Sequence, residues 1–407
     1  MHLEVNYFSL AIVFVIAVLS PIIVSKIKVI SIPEIIVQII AGIIIGDSGL
    51  KIIGHSNIVD FLASFGFVFL MFLSGYEVNF NLLKRSKNIS DQSATPLKKA
   101  LMIMSLTLVF SAAFALGLYF LGLVKDFLLL TLIFSTTSLG IVVSVLKENG
   151  IIKNKFGQTL LVASLVADFS TLFLLPIVLY FIKGERNFGL LLSLLLIVAF
   201  IVLYFVLKLF KRVDFDKAIH KVTHLEVRIT LAVLFLFAIL SETIGLEVII
   251  GAFMAGMLFS LLFKDRTEHQ ELSTKLDSIG YGFLIPIFFI MIGVRFQLSS
   301  VFSPDTLLLL PLFIIIVYLV KLLPSVIVLN REYRLKKSLS AGFMLSSRLS
   351  LIVAISQIAL SGGFITMSTY SSFIIIAIVT CLISPIVSLK LYGKKDIDLK
   401  ILENIQI

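Results

Sequence analysis

In the stretch FLLLTLIFSTTSLGIVVSVL (residues 127–146), an apolar run carries a polar, glycine-bearing centre, Ser135-Thr136-Thr137-Ser138-Leu139-Gly140. The run has the length of a membrane span, which takes about 20 mostly apolar residues. A second run, KSLSAGFMLSSRLSLIVAISQIALS (residues 337–361), is interrupted in the same way by Ser346-Ser347-Arg348-Leu349-Ser350. One such run taken alone also fits hydroxyls bonding back to the backbone of an unbroken helix. Two, at corresponding positions in the halves of one chain, point to an inverted-repeat transporter with discontinuous helices.

The rest of the chain agrees with a membrane protein. Of 407 residues, 59% are apolar and 14% charged, where a soluble domain averages about a quarter charged. This composition excludes an ordinary cytosolic enzyme, a disordered chain and a secreted disulfide scaffold. The single cysteine, Cys381, excludes an intramolecular disulfide and a cysteine-based metal cluster. About thirteen segments qualify as spans: 8–25, 33–48, 60–77, 98–122, 127–146, 158–182, 188–209, 225–246, 247–263, 280–297, 305–330, 337–361 and 366–391. The first is read as a retained helix, because Met1-His2-Leu3-Glu4 is not the basic start of a signal peptide. The expected architecture is an all-α polytopic membrane protein, one transporter domain over 1–391. Repeat one covers about 8–182, a linker helix about 188–209 and repeat two about 225–391, with 392–407 a short cytoplasmic tail.

The net charge of +10, from 34 Lys and Arg against 24 Asp and Glu, reads as loop bias rather than nucleic-acid binding. About 27 basic residues fall in the tail and in loops after odd-numbered spans, and about five on the opposite side. That asymmetry predicts the N-terminus outside and the C-terminus inside, in a multi-pass protein of the cell inner membrane.

An ionisable side chain at mid-bilayer costs at least about 2.5–3.5 kcal/mol on insertion scales and so marks function by default. Counting from the span ends at 1.5 Å per residue puts Asp168 about 15 Å deep in the sixth span. Lys321 in the eleventh span, Arg348 in the twelfth and the run Thr136, Thr137, Ser138 in the fifth fall at nearly the same depth. Asp168 and Lys321 also admit a purely structural reading, as a fixed ion pair, although desolvation offsets most of what such a pair gains. Arg348 is suited to neutralising carbonyl ends at the break rather than to touching substrate. Glu34, Glu77, Glu242 and Glu247 lie near span ends, with Glu247 retained as an accessory candidate, and Arg295 is read as interfacial.

A carboxylate in this position is neutralised by a proton or by a small cation. Burial favours the neutral form of an acid and a nearby ammonium favours the charged form. If proton and cation compete for Asp168 and only the neutralised site crosses, exchange is obligatory. The hydroxyls and freed carbonyls of Thr136–Ser138 are the hard oxygen ligands that Na⁺ or K⁺ prefers. The chain has no GxxxxGK[ST] motif for nucleotide, and its five histidines sit in loops or at the N-terminus. No resident cofactor is expected. The transported species are H⁺ and Na⁺, or K⁺ or Li⁺, and the chain is expected not to be an enzyme. An intramembrane aspartyl protease needs two facing aspartates where only Asp168 is at mid-depth. A Na⁺-coupled organic-anion symporter and a channel-like or sensor protein stay open as alternatives.

At further motifs the sequence resembles the monovalent cation:proton antiporters, in the bacterial branch of Na⁺/H⁺ exchangers and K⁺ efflux proteins. The motifs are Ile32-Pro33-Glu34 through Ala41-Gly42 to Gly46, Phe69-Leu70-Met71-Phe72-Leu73-Ser74-Gly75-Tyr76-Glu77, Gly251-Ala252-Phe253-Met254-Ala255-Gly256, and Pro286-Ile287-Phe288-Phe289-Ile290-Met291-Ile292-Gly293. The resemblance covers nearly the whole chain. It implies a dimerisation domain, with a homodimer through the first, seventh and eighth spans, and a mobile core domain holding two crossed broken helices, working by elevator-type alternating access. It further implies that Asp168 is the ion-binding aspartate, with Thr137 and Ser138 on the first broken helix, Lys321 its basic partner and Arg348 on the second broken helix. Two positions depart from the family pattern. Ala167 precedes Asp168 where charge-moving members carry an acidic pair, and Arg348-Leu349-Ser350 stands where many relatives have Arg-Gly-Glu. A single carboxylate favours one-for-one exchange, while Lys321 is more typical of charge-moving members.

Overall fold

The computed structural model describes residues 7–26, 33–53, 57–76, 96–152, 154–183, 201–202, 205, 225–243, 248–262, 266–302 and 304–393. Most of the expected linker helix 188–209, the acidic candidates Glu77 and Glu247, and the tail beyond residue 393 lie outside them. The described residues contain helices and no strand. Eight helices among them are long and apolar enough to cross a membrane, and three shorter apolar helices span Glu34–Ile45, Val248–Leu262 and Ser350–Ser361. Large apolar side chains stand exposed on their outer faces, Phe8, Val18, Val109, Ile315 and Ile327 among them. Such a surface is stable only against lipid or another apolar face.

In chain order the elements are α1 (Tyr7–Lys26), α2 (Glu34–Ile45), α3 (Asn57–Tyr76), α4 (Pro96–Phe120), α5 (Phe127–Ser135), α6 (Leu139–Glu148), α7 (Lys155–Lys183), α8 (Leu225–Thr243), α9 (Val248–Leu262), α10 (Arg266–Ile279), a π-helical turn (Gly280–Leu284), α11 (Ile285–Val294), α12 (Leu298–Val301), α13 (Pro304–Ser346), α14 (Ser350–Ser361) and α15 (Met367–Tyr392).

Three expectations are corrected. The break in 127–146 is narrower than Ser135–Gly140, because α5 runs through Ser135 and α6 has begun at Leu139. The Ser135 and Thr136 hydroxyls donate to the carbonyls of Leu132 and Ile133, each at 2.8 Å, which holds the last turn of α5 helical. The second break likewise narrows from 346–350 to 347–349. The expected span 280–297 opens within a longer helical run, because α10 passes through the π turn into α11.

The chain groups into two compact units. The first comprises residues 1–23, 37–81 and 183–296. Its elements pack by backbone approach. A Cβ on Gly75 of α3 would lie 2.1 Å from the Phe253 carbonyl oxygen of α9, and one on Gly256 of α9 would lie 2.0 Å from that of Phe72. Gly42 of α2 and Gly293 of α11 repeat the arrangement, each 2.1 Å from a carbonyl oxygen of the other helix. In lipid, where lipid tails compete for apolar side chains, small residues of this kind are what lets two helices associate closely. An apolar cluster of Val13, Ile45, Val59, Ile287, Ile290 and Met291 is buried in this unit. Arg295, expected at an interface, pairs with Asp60.

The second unit comprises residues 24–36, 82–182 and 297–407 and contains every described polar candidate at mid-depth. Within it α13 doubles back. Arg334 takes a left-handed φ of 58° with ψ 167°, so residues 304–333 and 335–346 form two arms. The arms lie together closely enough that a Cβ on Gly342 would be 2.8 Å from Leu322 Cα. One end of this unit is basic. There Lys99 pairs with Glu332, Phe156 packs on Tyr333 and Tyr392, and Lys337 lies 5.0 Å over the Tyr392 ring. Lys98, Lys155, Arg331, Lys336 and Lys390 lie close by in sequence. At the opposite end, a cavity of about 260 Å³ is lined by Lys125, Asp126, Leu309 and Thr366, among others.

The glycine contacts are testable by thermal unfolding in detergent. Gly256→Ala is expected to destabilise the protein by about 1–3 kcal/mol, the usual range for overpacking. Gly117→Ala, where a Cβ meets nothing within 4 Å, is expected to leave the midpoint unchanged or raise it, since Ala is the better helix former.

Candidate ion-binding site

Two helices stop inside the second unit, and the stops are tied to each other. The Ser138 N–H donates to the Ser347 carbonyl at 2.8 Å. The Thr137 hydroxyl donates to the Leu345 carbonyl at 3.1 Å. The first half of each broken helix thus ends where the second half of the other begins. Thr136, Thr137, Ser138, Ser347 and Arg348 are all buried.

A helix end leaves its last carbonyls without N–H partners. At the end of α5 these are filled by two cations. Arg348 donates from one terminal nitrogen to Phe134 O at 2.8 Å and Ile133 O at 3.3 Å. Lys321 Nζ donates to Ser135 O at 2.7 Å. The other Arg348 nitrogens reach Ser346 O at 3.3 Å and Val317 O at 3.1 Å. The guanidinium thus bridges the end of α5, the end of α13 and the first arm of α13. Its own carbonyl is held by Cys381 Sγ at 3.1 Å and the Thr380 hydroxyl at 3.5 Å, both from α15. Positive charge on the C-terminal end of α5 also answers its helix dipole.

The other pole of the crossing faces a carboxylate. Asp168 of α7 is half-buried, and its Oδ2 accepts from the Leu139 N–H, the first of α6, at 3.3 Å. A helix N-terminus favours negative charge, so the pairing has the right sign. One turn before Asp168 on the same face, Ser164 is fully buried. The break that ends at Leu139 carries the Thr136, Thr137 and Ser138 hydroxyls, hard oxygen donors of the kind that suit an alkali cation.

The structure brings Thr136, Thr137, Ser138, Asp168, Lys321 and Arg348 to one crossing. Glu34 lies in the first turn of α2 and Glu242 in the last turn of α8. Sequence reading missed two contributors. The Leu139 N–H and the Cys381–Arg348 contact had no side-chain signal, since each rests on backbone geometry.

Among the described residues, crossed half-helices thus hold a carboxylate and two buried cations within an apolar, all-helical unit. A family model described as "Sodium/hydrogen exchanger, transmembrane" matches residues 14–389, and the chain belongs to that family. It is 35% identical over 396 residues to the putative Na⁺/H⁺ antiporter YjbQ of Bacillus subtilis, covering 95% of this chain and 63% of that protein. It is 30% identical over 377 residues to the probable Na⁺/H⁺ antiporter 3 of Methanocaldococcus jannaschii, covering 92% of this chain and 94% of the other. The chain therefore spans less than two thirds of the first relative and nearly all of the second. Its fold is similar to that of the sodium proton antiporter MjNhaP1 of Methanocaldococcus jannaschii, with a TM-score of 0.64 at 17% identity over 95% of this chain and 99% of that one.

Arg348→Ala strands the Phe134 carbonyl, at about 1–3 kcal/mol for a buried acceptor left unmet, whereas the Ile133 carbonyl keeps the Thr136 hydroxyl. A clear fall in the thermal midpoint of the purified protein is expected. Arg348→Lys, a point charge in place of a planar fork, is expected to recover part of the loss. An unchanged midpoint in Arg348→Ala would show that another donor already satisfies the Phe134 carbonyl.

Proposed function

We propose that the chain is a secondary antiporter that exchanges protons for monovalent cations, Na⁺ foremost and K⁺ or Li⁺ after it, with both competing at Asp168. The observation that carries this reading is the placement of Asp168. Its carboxylate faces the start of α6 at 3.3 Å, while Lys321 and Arg348 direct their N–H groups onto carbonyls. Lys321, which caps the end of α5, also interacts electrostatically with Asp168, and in this reading the carboxylate is the group that answers to the transported ion. The names of the relatives support Na⁺ as the cation.

The cycle follows from charge. A bare carboxylate cannot cross an apolar barrier cheaply. Loaded with a proton or with Na⁺ it is neutral, and the unit that holds it is free to move. Hydroxyls at Thr136, Thr137 and Ser138 complete the cation's shell on one side, and a single proton replaces the whole shell on the other. Because every element of the crossing belongs to one compact unit, elevator motion of that unit carries the site intact. The same reading includes thirteen spans with the N-terminus outside and the basic end of the second unit in the cytoplasm. It also includes residence in the inner membrane and a homodimer through the first, seventh and eighth spans.

Asp168→Asn is expected to abolish Na⁺-dependent proton movement in proteoliposomes while the protein still folds and reconstitutes. Normal flux in that variant would remove Asp168 from the mechanism. Lys321→Ala is expected to move the pH profile of exchange more than it lowers maximal turnover, and an unmoved profile would make Lys321 a helix cap and nothing more. Both are read by cation-induced dissipation of a pH gradient across a Na⁺, Li⁺ and K⁺ series, with and without a clamped voltage.

A further inference from the structure

The basic end of the second unit carries charge that the crossing does not use. Printed contacts bind its parts together. Lys99 of α4 pairs with Glu332, just before the turn in α13. Phe156 of α7 packs edge-on against Tyr333 and also on Tyr392 of α15. Lys337, just after the turn, lies 5.0 Å over the Tyr392 ring, and Asn154 donates to the Tyr392 hydroxyl at 3.0 Å. Lys98, Arg331, Arg334, Lys336 and Lys390 each stand one or two residues from one of these contacts, and all are exposed. None of the five side chains makes an ion pair or hydrogen bond among the described residues. This end also has the right depth for a membrane surface. α15 is 26 residues long, about 39 Å at 1.5 Å per residue, against a hydrocarbon core of about 30 Å. Centred on that core, it puts Lys390 and Tyr392 at headgroup level, where the amphipathic rings of tyrosines such as Tyr333 and Tyr392 commonly sit.

One residue there holds a costly conformation. Arg334 makes the turn at φ 58° and ψ 167°, a region that belongs almost wholly to glycine, because a Cβ crowds the backbone there. Glycine at 334 would make the same turn without that cost. Loop bias accounts for basic residues at this end in general, but not for an arginine at this backbone position. Residues held in such conformations cluster where their side chains are used. Arg331 lies one helical turn before Arg334, so the two are neighbours. Leu335 stands between Arg334 and Lys336 and is 53% exposed. From Arg331 to Lys336 the turn thus offers two guanidinium forks, an ammonium and a bare apolar side chain. A guanidinium fork matches phosphate oxygens two at a time.

We propose that this end of the second unit is a binding site for an anionic phospholipid of the adjoining leaflet, with Arg331, Arg334 and Lys336 on its phosphate and Leu335 against its acyl chains. Charge complementarity and depth select this occupant. Headgroup phosphates lie at the level that the helix ends reach, and the bilayer supplies them at high local concentration. Each Lys or Arg near an anionic lipid surface adds to the attraction. A soluble anion offers Leu335 nothing. A zwitterionic headgroup brings its own cation to the phosphate and gains less from the cluster. Glu332 does not oppose the lipid, since Lys99 already holds it. The site does not depend on which ion the crossing carries, or on whether the chain exchanges protons.

The test is the thermal midpoint of the purified full chain in a neutral maltoside detergent, titrated with dioleoylphosphatidylglycerol, dioleoylphosphatidylcholine or inorganic phosphate. A ligand of the folded state raises the midpoint as its concentration passes its dissociation constant. Phosphatidylglycerol is expected to raise it by several degrees, and the other two to leave it in place. Arg334→Gly is expected to unfold no earlier than the parent in phosphatidylcholine, because the turn is relieved. It is expected to need about fivefold more phosphatidylglycerol for the same rise, the loss of one basic group near an anionic surface. Arg334→Lys is expected to retain most of the parent's affinity. Arg331→Gln/Arg334→Gln/Lys336→Gln is expected to need roughly a hundredfold more lipid, while Lys125→Gln, exposed at the opposite end of the unit, matches the parent. Equal rises with the two lipids, or a rise that the triple variant keeps in full, overturn the site. Inorganic phosphate as effective as phosphatidylglycerol overturns the lipid as its occupant. An equal loss in Lys125→Gln and Arg334→Gly reduces the effect to net charge and overturns it too. Should the triple variant not fold, Arg334→Gly decides, and an unchanged lipid titration there overturns the proposal.

Discussion

A helix that ends inside hydrocarbon leaves carbonyl oxygens that water cannot reach, and each is costly to leave bare. The crossing depends on how α5 meets this constraint. Ile133, Phe134 and Ser135 are served by Arg348 and Lys321, two side chains that would themselves be prohibitive in an apolar interior without acceptors. Each cost offsets the other. Neither the broken helix nor the buried cations would persist alone, so the polar centre stands or falls as one object. The ties between Ser138 and Ser347, and between Thr137 and Leu345, extend that dependence to the second broken helix.

This also explains why one acid suffices. With Lys321 and Arg348 directed onto carbonyls, the crossing already balances its negative helix ends, and the Asp168 carboxylate lies against a positive one, the start of α6. A second acid beside it, where Ala167 stands, would add a charge with no helix end to receive it. The Ser350 position makes the same point from the other side. Leu349, the N-cap of α14, makes no side-chain cap, and Ser350 brings no carboxylate to that helix start.

Much of this was legible in the sequence, for a physical reason. Charges in lipid are rare enough that depth alone singles out Asp168, Lys321 and Arg348, and counting 1.5 Å per residue from a span end needs no tertiary information. The breaks were legible as runs of Ser, Thr and Arg, but their edges were not. Whether Ser135 or Leu139 is helical depends on hydroxyls bonding back to Leu132 and Ile133, and on the partner strand of backbone at 347–349. Partners were likewise out of reach. Depth placed Lys321 level with Asp168, and only the folded chain shows its Nζ on the Ser135 carbonyl. The glycine motifs carried the resemblance, but their role is a contact between backbones, visible once Gly75 meets Phe253 and Gly256 meets Phe72.

The two units solve burial in opposite ways, and the difference matches what each must do. In the first, glycines let helices touch and an apolar cluster fills the remainder, an arrangement with few alternatives of similar energy. In the second, the interior is threaded with hydroxyls, prolines and two cations, all of which tolerate apolar surroundings only while their hydrogen bonds are kept. Such an interior resists internal rearrangement, because any shift that breaks the Arg348 or Lys321 contacts exposes a bare carbonyl and a bare charge together. A unit built this way moves as a body or not at all. Under the proposed antiport, a carboxylate that binds ions alternately from two solutions has a physical reason to sit in such a unit, where its ligands would travel with it and its charge is what would change.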